Sequence, residues 1–268
     1  MSISSTICRL VSLKEESELF IDYYRMKLRK EFDLFPIYSD LSNKNWLVIS
    51  GGGSLNASIA AIYLKNCSKS KLNTSWINFG FGLTNSNNFN CFVIDQIVEN
   101  NTNEKLYPSI VNIDLFARSK IISFDKFKMS NDGLSDTNSF AFFKTMNKYV
   151  NKELLAIIKI SINKDKYNDK YFKKSLIKKN FEKIIQVEKI LKSYSYLESL
   201  NLIDVKYFDE IIKKIHFSVS QKFQLHNLLK SWNNFYSYNL LKKINKFSKA
   251  DKVLEFLRSE NDNGELNW

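Results

Sequence analysis

The chain has 268 residues and a formal net charge of +12, from 40 Lys and Arg against 28 Asp and Glu. Seven glycines and two prolines form no flexible linker, so we expect one large domain with a substantial core. No apolar run reaches the length of about 18 residues that a transmembrane helix needs. The start, MSISSTICRLVSLKEE, also lacks the long apolar segment of a secretory signal.

Residues that bind metals are sparse. Cys8, Cys67 and Cys91, together with His216 and His226, show no spacing typical of a metal site, so no metal is expected. Scattered cysteines favour a reducing, intracellular compartment. The positive charge is almost all lysine, whereas recognition of bases and phosphates favours arginine. Nucleic acid is therefore disfavoured as a partner, while an acidic partner suits the net charge.

In chain order, the first elements are a helix and short strands. Apolar spacing predicts a first helix over Leu13–Phe32. Trp46–Ser50 predicts a strand, and Gly51–Gly53 predicts a hairpin turn in preference to a nucleotide-binding loop, because no fingerprint spacing is present. Leu55–Leu64 predicts a second strand, and the alternation of Trp76–Leu83 predicts a third.

Further strands follow along the chain. Three are predicted by short apolar runs: Phe92–Val98, Ile110–Phe116 and Lys120–Phe127. Short turns separate these segments, which favours antiparallel pairing. Asp136 is expected to cap a helix that runs to about Tyr149, and Leu154–Ile162 predicts one more buried strand.

From Tyr167 onward the apolar spacing is helical, in segments that end near Leu200, Ser231 and Arg258. A helix and a sheet meander to about residue 162, with helices beyond it, predict an α+β fold. We expect a three-layer α/β/α sandwich with a central, mostly antiparallel sheet, in a single domain over residues 1–268.

Two aspartates in the predicted strands are candidates for chemistry. Side chains alternate along a strand, so Asp95 would share a face with Val93 and Ile97, and Asp114 would share one with Phe116. A carboxyl on an apolar face is desolvated, which raises its pKa towards the range useful for proton transfer. The structural alternative is that each aspartate lies near a strand end, where it is hydrated or paired with a lysine.

The order of these features resembles the ferredoxin-dependent bilin reductases, enzymes that reduce biliverdin and its derivatives to phycobilins. The segments that carry the resemblance are VIDQIV at Val93–Val98, the pair Tyr107-Pro108, SIVNIDL at Ser109–Leu115, KIISFD at Lys120–Asp125, and further on Tyr149–Lys159 and Asn245–Leu257. The family's C-terminal acidic segment is replaced here by Ser231–Asn234, which contains amides.

This resemblance implies an open-chain tetrapyrrole held between the sheet and the C-terminal helices. It implies reduced ferredoxin as the electron donor, with no bound flavin or metal. Asp95 and Asp114 would be the catalytic proton donors. The residues implied in substrate binding are Asn112, Phe116, Asn233 and Asn234.

The resulting expectation is an oxidoreductase of phycobilin biosynthesis, of the phycoerythrobilin-forming kind found in cyanobacteria. It would reduce biliverdin or 15,16-dihydrobiliverdin by single-electron transfers, as a monomer in the cytoplasm or the plastid stroma. Its partners would be the bilin and an acidic ferredoxin, without a membrane. Because the C-terminal aspartate is missing, a bilin-binding protein without reductase activity is the alternative. A basic transferase or nucleic-acid-binding protein is a third hypothesis.

Overall fold

The computed structural model describes residues 5–71, 73–109, 116–201, 208–218, 220–222, 224–225, 228–229, 243–244 and 246–265, without the side chains of 197–201 and 261–265. Contacts between Cα atoms divide the chain into two compact units, Met1–Tyr196 and Leu197–Trp268. The single domain expected from the sequence stays a prediction. Among the described helices, none combines the length and apolar character that a membrane crossing needs.

Unit 1 is built around one sheet of ten strands. The strands are β1 (Ile7–Val11), β2 (Lys27–Leu28), β3 (Ile37–Ser39), β4 (Asn45–Ile49), β5 (Ser75–Leu83), β6 (Cys91–Glu99), β7 (Lys105–Leu106), β8 (Ala117–Ser123), β9 (Leu134–Asp136) and β10 (Leu155–Ile162). The helices are α1 (Lys14–Tyr23), α2 (Ser54–Cys67), α3 (Ser139–Met146) and α4 (Lys170–Asn201), with a 3₁₀ turn at Lys152–Leu154.

Part of this sheet closes on itself. β10 is parallel to β5 and antiparallel to β6, β6 and β8 are parallel, and β8 is parallel to β9. β9 pairs with β5, antiparallel, so β5, β10, β6, β8 and β9 form a closed ring. The open part of the sheet continues from β5 through β1, β4, β3 and β2, and β1 is parallel to both β5 and β4.

The expected α/β/α sandwich with a mostly antiparallel sheet is wrong, because the sheet is mixed and partly closed. The error begins at Leu55–Leu64, which was predicted as a strand and forms helix α2. Its buried residues Ala57, Ala60, Ala61 and Leu64 follow helical spacing. As a helix, this segment is the crossover that parallel strands require, whereas a strand there would have implied a hairpin.

Several other predicted elements are confirmed. The predicted strands Trp46–Ser50, Trp76–Leu83 and Leu154–Ile162 match β4, β5 and β10 to within one residue at each end. The first helix is shorter than predicted, because α1 ends at Tyr23 and is followed by strands β2 and β3. Strand β1 had no counterpart in the prediction, and most of the predicted strand Ile110–Phe116 lies outside the described residues.

Apolar clusters cover both sides of the sheet. One joins the strands to α1 and α4 through residues such as Phe20, Ile184 and Leu191, and the other joins them to α2 and α3. Unit 2 has its own cluster on helices α5 (Phe208–Lys214) and α6 (Ala250–Glu265). The helical character predicted beyond residue 167 is confirmed for the described residues.

A buried ion pair fastens α4 to β1. The Arg9 side chain is fully buried, and its Nε and Nη2 each donate to the Glu188 carboxylate at 2.5 Å. The Tyr24 hydroxyl donates to the same carboxylate, and Arg9 Nη2 also reaches Asn45 Oδ1 at 3.3 Å. The pair therefore joins the first strand of the sheet to a helix 179 residues further along the chain.

Candidate active site

A cleft of about 320 Å³ opens in unit 1 beside the residues that follow strands β1 and β4. Ligands commonly bind beyond the carboxyl ends of parallel strands, where the chain leaves the sheet. The lining residues are Ser12, Leu13, Glu16, Gly52, Gly53, Phe81, Asp125, Phe127, Asp136, Thr137, Asn138 and Tyr167. Three carboxylates thus border one cleft.

Glu16 is the most buried of these carboxylates, with 2% of its surface exposed. It lies in the first turn of α1, where its Oε2 accepts the N–H groups of Ser12 and Leu13 at 2.8 Å each. Its Oε1 accepts the Phe81 N–H at 3.1 Å. A carboxylate oxygen can accept two hydrogen bonds, so Oε1 keeps one position for a ligand or water.

The environment of Glu16 suits a general base. Burial raises the pKa of its carboxyl above the usual glutamate value, although the backbone N–H bonds and the charge of Lys159 oppose the rise. A carboxylate with a raised pKa and a free acceptor position can remove a proton from water.

Gly80 provides the space that the Glu16 carboxylate occupies. A Cβ atom at this position would lie 2.6 Å from Glu16 Oε1 and 3.0 Å from its Cδ. We expect Gly80→Ala to lower the free energy of unfolding by about 1–3 kcal/mol, because the carboxylate must move away from its N–H partners. Urea unfolding measures the change.

The matched control for that substitution is Gly52→Ala, since nothing lies within 4 Å of a Cβ atom at Gly52. Its free energy of unfolding should stay close to that of the unmodified protein. Equal stability of both variants would show that Gly80 is not needed for the Glu16 position.

The surroundings of Asp136 indicate a structural role, in contrast to those of Glu16. Its Oδ1 accepts the Ser123 hydroxyl at 2.7 Å, and its Oδ2 accepts the Ser139 N–H at 3.2 Å and the Ser139 hydroxyl. Lys159 Nζ lies 3.0 Å from Oδ2. The N-cap of α3 is Asn138 and not Asp136 as predicted, although Asp136 accepts the N–H of Ser139, the first residue of that helix. These bonds occupy the carboxylate, which joins β8, β9, α3 and β10.

Lys159 also fixes the orientation of an amide in the cleft. This fully buried lysine donates to Asn138 Oδ1 at 2.9 Å, and Asn138 Nδ2 donates to the Ser12 hydroxyl. Asn138 is only 6% exposed, yet it lines the cleft. The floor of the cleft is therefore a connected polar network.

Gly52 and Gly53, in the loop Gly51–Gly53, form another wall of the cleft. The predicted hairpin turn is wrong here, because the glycines lead directly into helix α2. Gly51 and Gly53 have φ values of +73° and +100°, which residues other than glycine rarely adopt. The Gly53 N–H donates to Thr137 Oγ1 at 3.1 Å, which connects this loop to the segment between β9 and α3.

Tyr167 and Phe127 separate the cleft from an adjoining outer recess of about 580 Å³. Their ring centroids are 4.4 Å apart. Burial and the nearby carboxylates, first Glu16, raise the pKa of Tyr167 to about 12. Its hydroxyl therefore keeps its proton at neutral pH. The other residues that line the outer recess are Leu83, Lys128, Met129, Lys164 and Asn168.

The residues singled out in the sequence lie elsewhere. Asp95 is half-buried in β6 at a bulge, where Ile94 and Gln96 pair with consecutive residues of β8. The bulge breaks the alternation, so Val93 packs in one apolar cluster and Ile97 in the other. Asp95 does not line the cleft.

Of the other predicted site residues, only Phe116 is described. It is 8% exposed and packs in the core, with Lys183 Nζ 5.9 Å from its ring centroid. Four lie outside the described residues: Asn112, Asp114, Asn233 and Asn234. The roles assigned to the six site residues stay predictions. Within the described part of the chain, no group of three His, Cys, Asp or Glu could hold a metal ion.

Glu16 was not singled out from the sequence, although a signal was present. It is the third residue of a helix that begins at Lys14, soon after the apolar run ICRLV, and at this position a glutamate can turn back to cap the helix start. Its contact with Phe81, 65 residues away, has no local signature.

The similarity found between this chain and known proteins is one of structure and not of sequence. No protein-family model and no curated protein sequence matches it. A 5′-methylthioadenosine/S-adenosylhomocysteine nucleosidase from S. pneumoniae is 10% identical with a TM-score of 0.52, covering 72% of this chain and 99% of that one. The corresponding nucleosidase from Neisseria meningitidis is 14% identical, with a TM-score of 0.50 and coverage of 73% and 99%. Futalosine hydrolase of Helicobacter pylori is 10% identical, with a TM-score of 0.52 and coverage of 74% and 98%.

These structures correct the family and the function expected from the sequence. The resemblance to bilin reductases is wrong, and so are the ferredoxin-dependent oxidoreductase activity, the place in phycobilin biosynthesis and both alternative functions. The quoted segments matched in their order along the chain, which does not determine how strands pair. Ferredoxin as an electron donor stays an untested expectation that has lost this support. The chain shares the fold of these nucleosidases.

Proposed function

We propose that the cleft binds a nucleoside and hydrolyses its N-glycosidic bond, with Glu16 as the general base. The observation that carries this proposal is a buried carboxylate with one free acceptor position, set in the cleft of a fold that nucleosidases also have. Hydrolysis requires water to be deprotonated as it attacks, and Glu16 is the carboxylate placed to do this.

In the proposed reaction, the water oxygen bonds to C1′ of the ribose as the bond between C1′ and the base nitrogen breaks. Glu16 Oε1 takes the proton that the water loses. The departing base takes a proton from solvent, and the protonated Tyr167 hydroxyl is placed to donate a hydrogen bond to it. The ribose hydroxyls would meet the polar side chains of Ser12, Thr137 and Asn138. Positioning of this kind supplies much of the catalysis of such displacements.

A second candidate is a protein that binds a nucleoside without hydrolysing it. Glycosidic bonds are commonly cleaved by two carboxyl groups, one of which protonates the leaving group. Among the described cleft residues, Asp136 is occupied by its hydrogen bonds, and Asp125 is exposed and accepts a bond from Asn101. A second free buried carboxyl is therefore lacking in the described cleft.

Incubation with 5′-methylthioadenosine, S-adenosylhomocysteine, adenosine and inosine separates these candidates. Release of the free base, detected by chromatography, supports hydrolysis. Binding of a nucleoside by calorimetry without base release supports the second candidate instead. If none of the four nucleosides binds or reacts, both are wrong.

The pH dependence of hydrolysis gives a more specific prediction. Because the pKa of Glu16 is raised, its carboxyl is protonated and inactive at acidic pH, and kcat/KM rises as that proton is lost. The acidic limb of the profile should therefore lie above the usual glutamate value of 4.5. A limb at or below that value would contradict the role of Glu16.

We also propose a reducing cytoplasm as the compartment. Cys8, Cys67 and Cys91 are free thiols, and Cys8 and Cys91 are buried in the core. Thiols of this kind suit a compartment in which disulfides do not form.

A further inference from the structure

A separate cavity of about 410 Å³, the mouth cavity, lies at one end of the closed ring of strands. At this end β5 and β10 end, whereas β6, β8 and β9 begin. Small-molecule sites commonly lie at the mouth of a closed ring of strands. Each of the five strands contributes to the lining, through a residue within the strand or, for β5, directly after it: Phe92, Ser119, Leu134, Ser161 and Thr84.

Hydrogen bonds to β10 hold the loop over residues 84–90, which borders the mouth cavity. The Thr84 N–H donates to the Ile162 carbonyl at 2.9 Å. Ser161 donates its N–H to the Asn90 carbonyl at 2.8 Å, and its Oγ accepts the Asn90 N–H at 2.8 Å. The rim of the cavity is therefore ordered before a ligand arrives, which lowers the entropy cost of binding.

The polar groups of the mouth cavity are hydroxyls and side-chain amides. Nine of the twelve described residues that line it are Ser, Thr or Asn, and none of the twelve is charged. A charged ligand would lose part of its hydration here without meeting an opposite charge, which costs free energy. Hydroxyls and amides each offer both a donor and an acceptor. The lining therefore suits a neutral ligand with several hydroxyls.

Several of the amides keep hydrogen-bonding positions for such a ligand. Asn85 Nδ2 donates to Asn131 Oδ1 at 2.6 Å, which leaves Asn85 Oδ1 and Asn131 Nδ2 without a partner among the described residues. Within the same part of the chain, the side chains of Asn88 and Asn90 form no hydrogen bond, and both are exposed. Donors and acceptors are thus available next to each other, as neighbouring hydroxyls require.

Phe92 adds an apolar surface to this polar lining. Its side chain is half-buried and packs against the apolar cluster that joins the sheet to α2 and α3. A sugar ring carries hydroxyls around its edge and C–H groups on its faces, so one face can cover an aromatic ring while the edge is hydrogen-bonded. A sugar therefore matches both parts of the lining.

We propose that the mouth cavity binds a neutral sugar ring, either as a free monosaccharide or as the end of a longer carbohydrate. This inference does not rest on the proposed nucleoside hydrolysis, because the described residues that line the mouth cavity are different from those that line the cleft and the outer recess. A dissociation constant of about 1–10 mM is expected, since a ligand of this size makes few contacts.

The test follows binding by NMR on the full chain with ¹⁵N-labelled asparagine, which makes the side-chain amides directly visible. The probes are glucose, galactose and mannose. Each is compared with its uronic acid, which carries a carboxylate on the same ring, and with a disaccharide of the same sugar. At least one neutral sugar should shift the amide signals of Asn88 and Asn90, and its uronate should bind about three- to tenfold more weakly.

The disaccharides distinguish the two sources of the sugar ring. A monosaccharide that binds at least as tightly as its disaccharide assigns a free sugar as the ligand. A disaccharide that binds more tightly assigns the end of a longer carbohydrate, because the second ring then adds contacts outside the cavity.

Matched variants locate the site. Asn88→Ala combined with Asn90→Ala should weaken sugar binding about tenfold, measured from the amide signals of Asn85 and Asn131, because two hydrogen-bonding side chains are lost. Asn87→Ala is the control and should bind like the unmodified protein. Asn87 lies on the same loop and accepts a bond from Asn163 at 2.8 Å, but it does not line the cavity.

Three results would overturn the inference. The first is that no neutral sugar shifts an amide of the cavity at about 100 mM, well above the expected dissociation constant. The second is that the uronates bind as tightly as the neutral sugars or more tightly. The third is unchanged binding in the folded Asn88→Ala, Asn90→Ala variant, which would place the sugar outside the mouth cavity.

Discussion

Glu16→Gln is expected to lower kcat for nucleoside hydrolysis by about a hundredfold to ten-thousandfold, the loss typical of a removed general base. The amide keeps the size of the side chain but cannot take a proton from water. Nucleoside binding should remain measurable by calorimetry, because Ser12, Thr137 and Asn138 are unchanged. The split between lost turnover and retained binding distinguishes a catalytic role from a purely structural one.

The amide also introduces a structural change that needs a control. Glu16 accepts three backbone N–H groups, and one end of a glutamine side chain is a donor that would face such a group. Thermal unfolding of the variant therefore has to be recorded beside its kinetics. Glu18→Gln is the matched control, because Glu18 lies on the same helix and pairs with Lys174 at the surface. Wild-type turnover in a folded Glu16→Gln variant would exclude Glu16 as the base.

Glu188→Ala is expected to reduce the free energy of unfolding by about 3–5 kcal/mol. The loss is large because Arg9 is fully buried and would keep its charge without a carboxylate. Arg9 Nη1 already lacks a hydrogen-bond partner among the described residues, so the remaining contacts cannot compensate. Urea unfolding followed by circular dichroism measures the change.

Two further variants test the cause. Glu31→Ala removes a carboxylate paired with Arg29 at the surface and should leave the unfolding midpoint unchanged. Arg9→Met combined with Glu188→Leu removes both charges and should recover much of the lost stability, since well-packed apolar residues often replace a buried pair without loss. If the double variant is as unstable as Glu188→Ala, packing and not the unpaired charge explains the effect.

The sequence predicted those strands whose signal is local. In Trp76–Leu83, apolar side chains alternate with Asn78, Gly80 and Gly82, and the segment forms β5. The segment Leu55–Leu64 contains too few polar residues to distinguish the period of a helix from that of a strand. The sequence therefore predicted a strand where helix α2 forms. Without this helix, the predicted fold had no crossover connection. The parallel pairing of β4, β1 and β5 was therefore not predicted, because strand direction depends on the connection.

The candidate site was largely hidden for a different reason. Its geometry depends on residues far apart in sequence, such as Glu16 with Phe81 and Asp136 with Lys159. A single lysine inside the apolar strand LAIIKISI was a usable signal, because a buried lysine requires a partner. The opposite case is Asp95, whose place in a predicted strand suggested a buried acid, whereas it is half-buried at a bulge and does not line the cleft.

The Arg9–Glu188 pair also affects how the protein is made. Arg9 leaves the ribosome early, but its partner is 179 residues further along the chain. At typical synthesis rates, the arginine waits about 10–35 s before Glu188 is available. Throughout that time the charge of Arg9 on β1 cannot be paired, so the sheet cannot be completed where β1 lies between β4 and β5. We expect the nascent chain to expose apolar strands during this interval and to depend on chaperones until α4 has been synthesised.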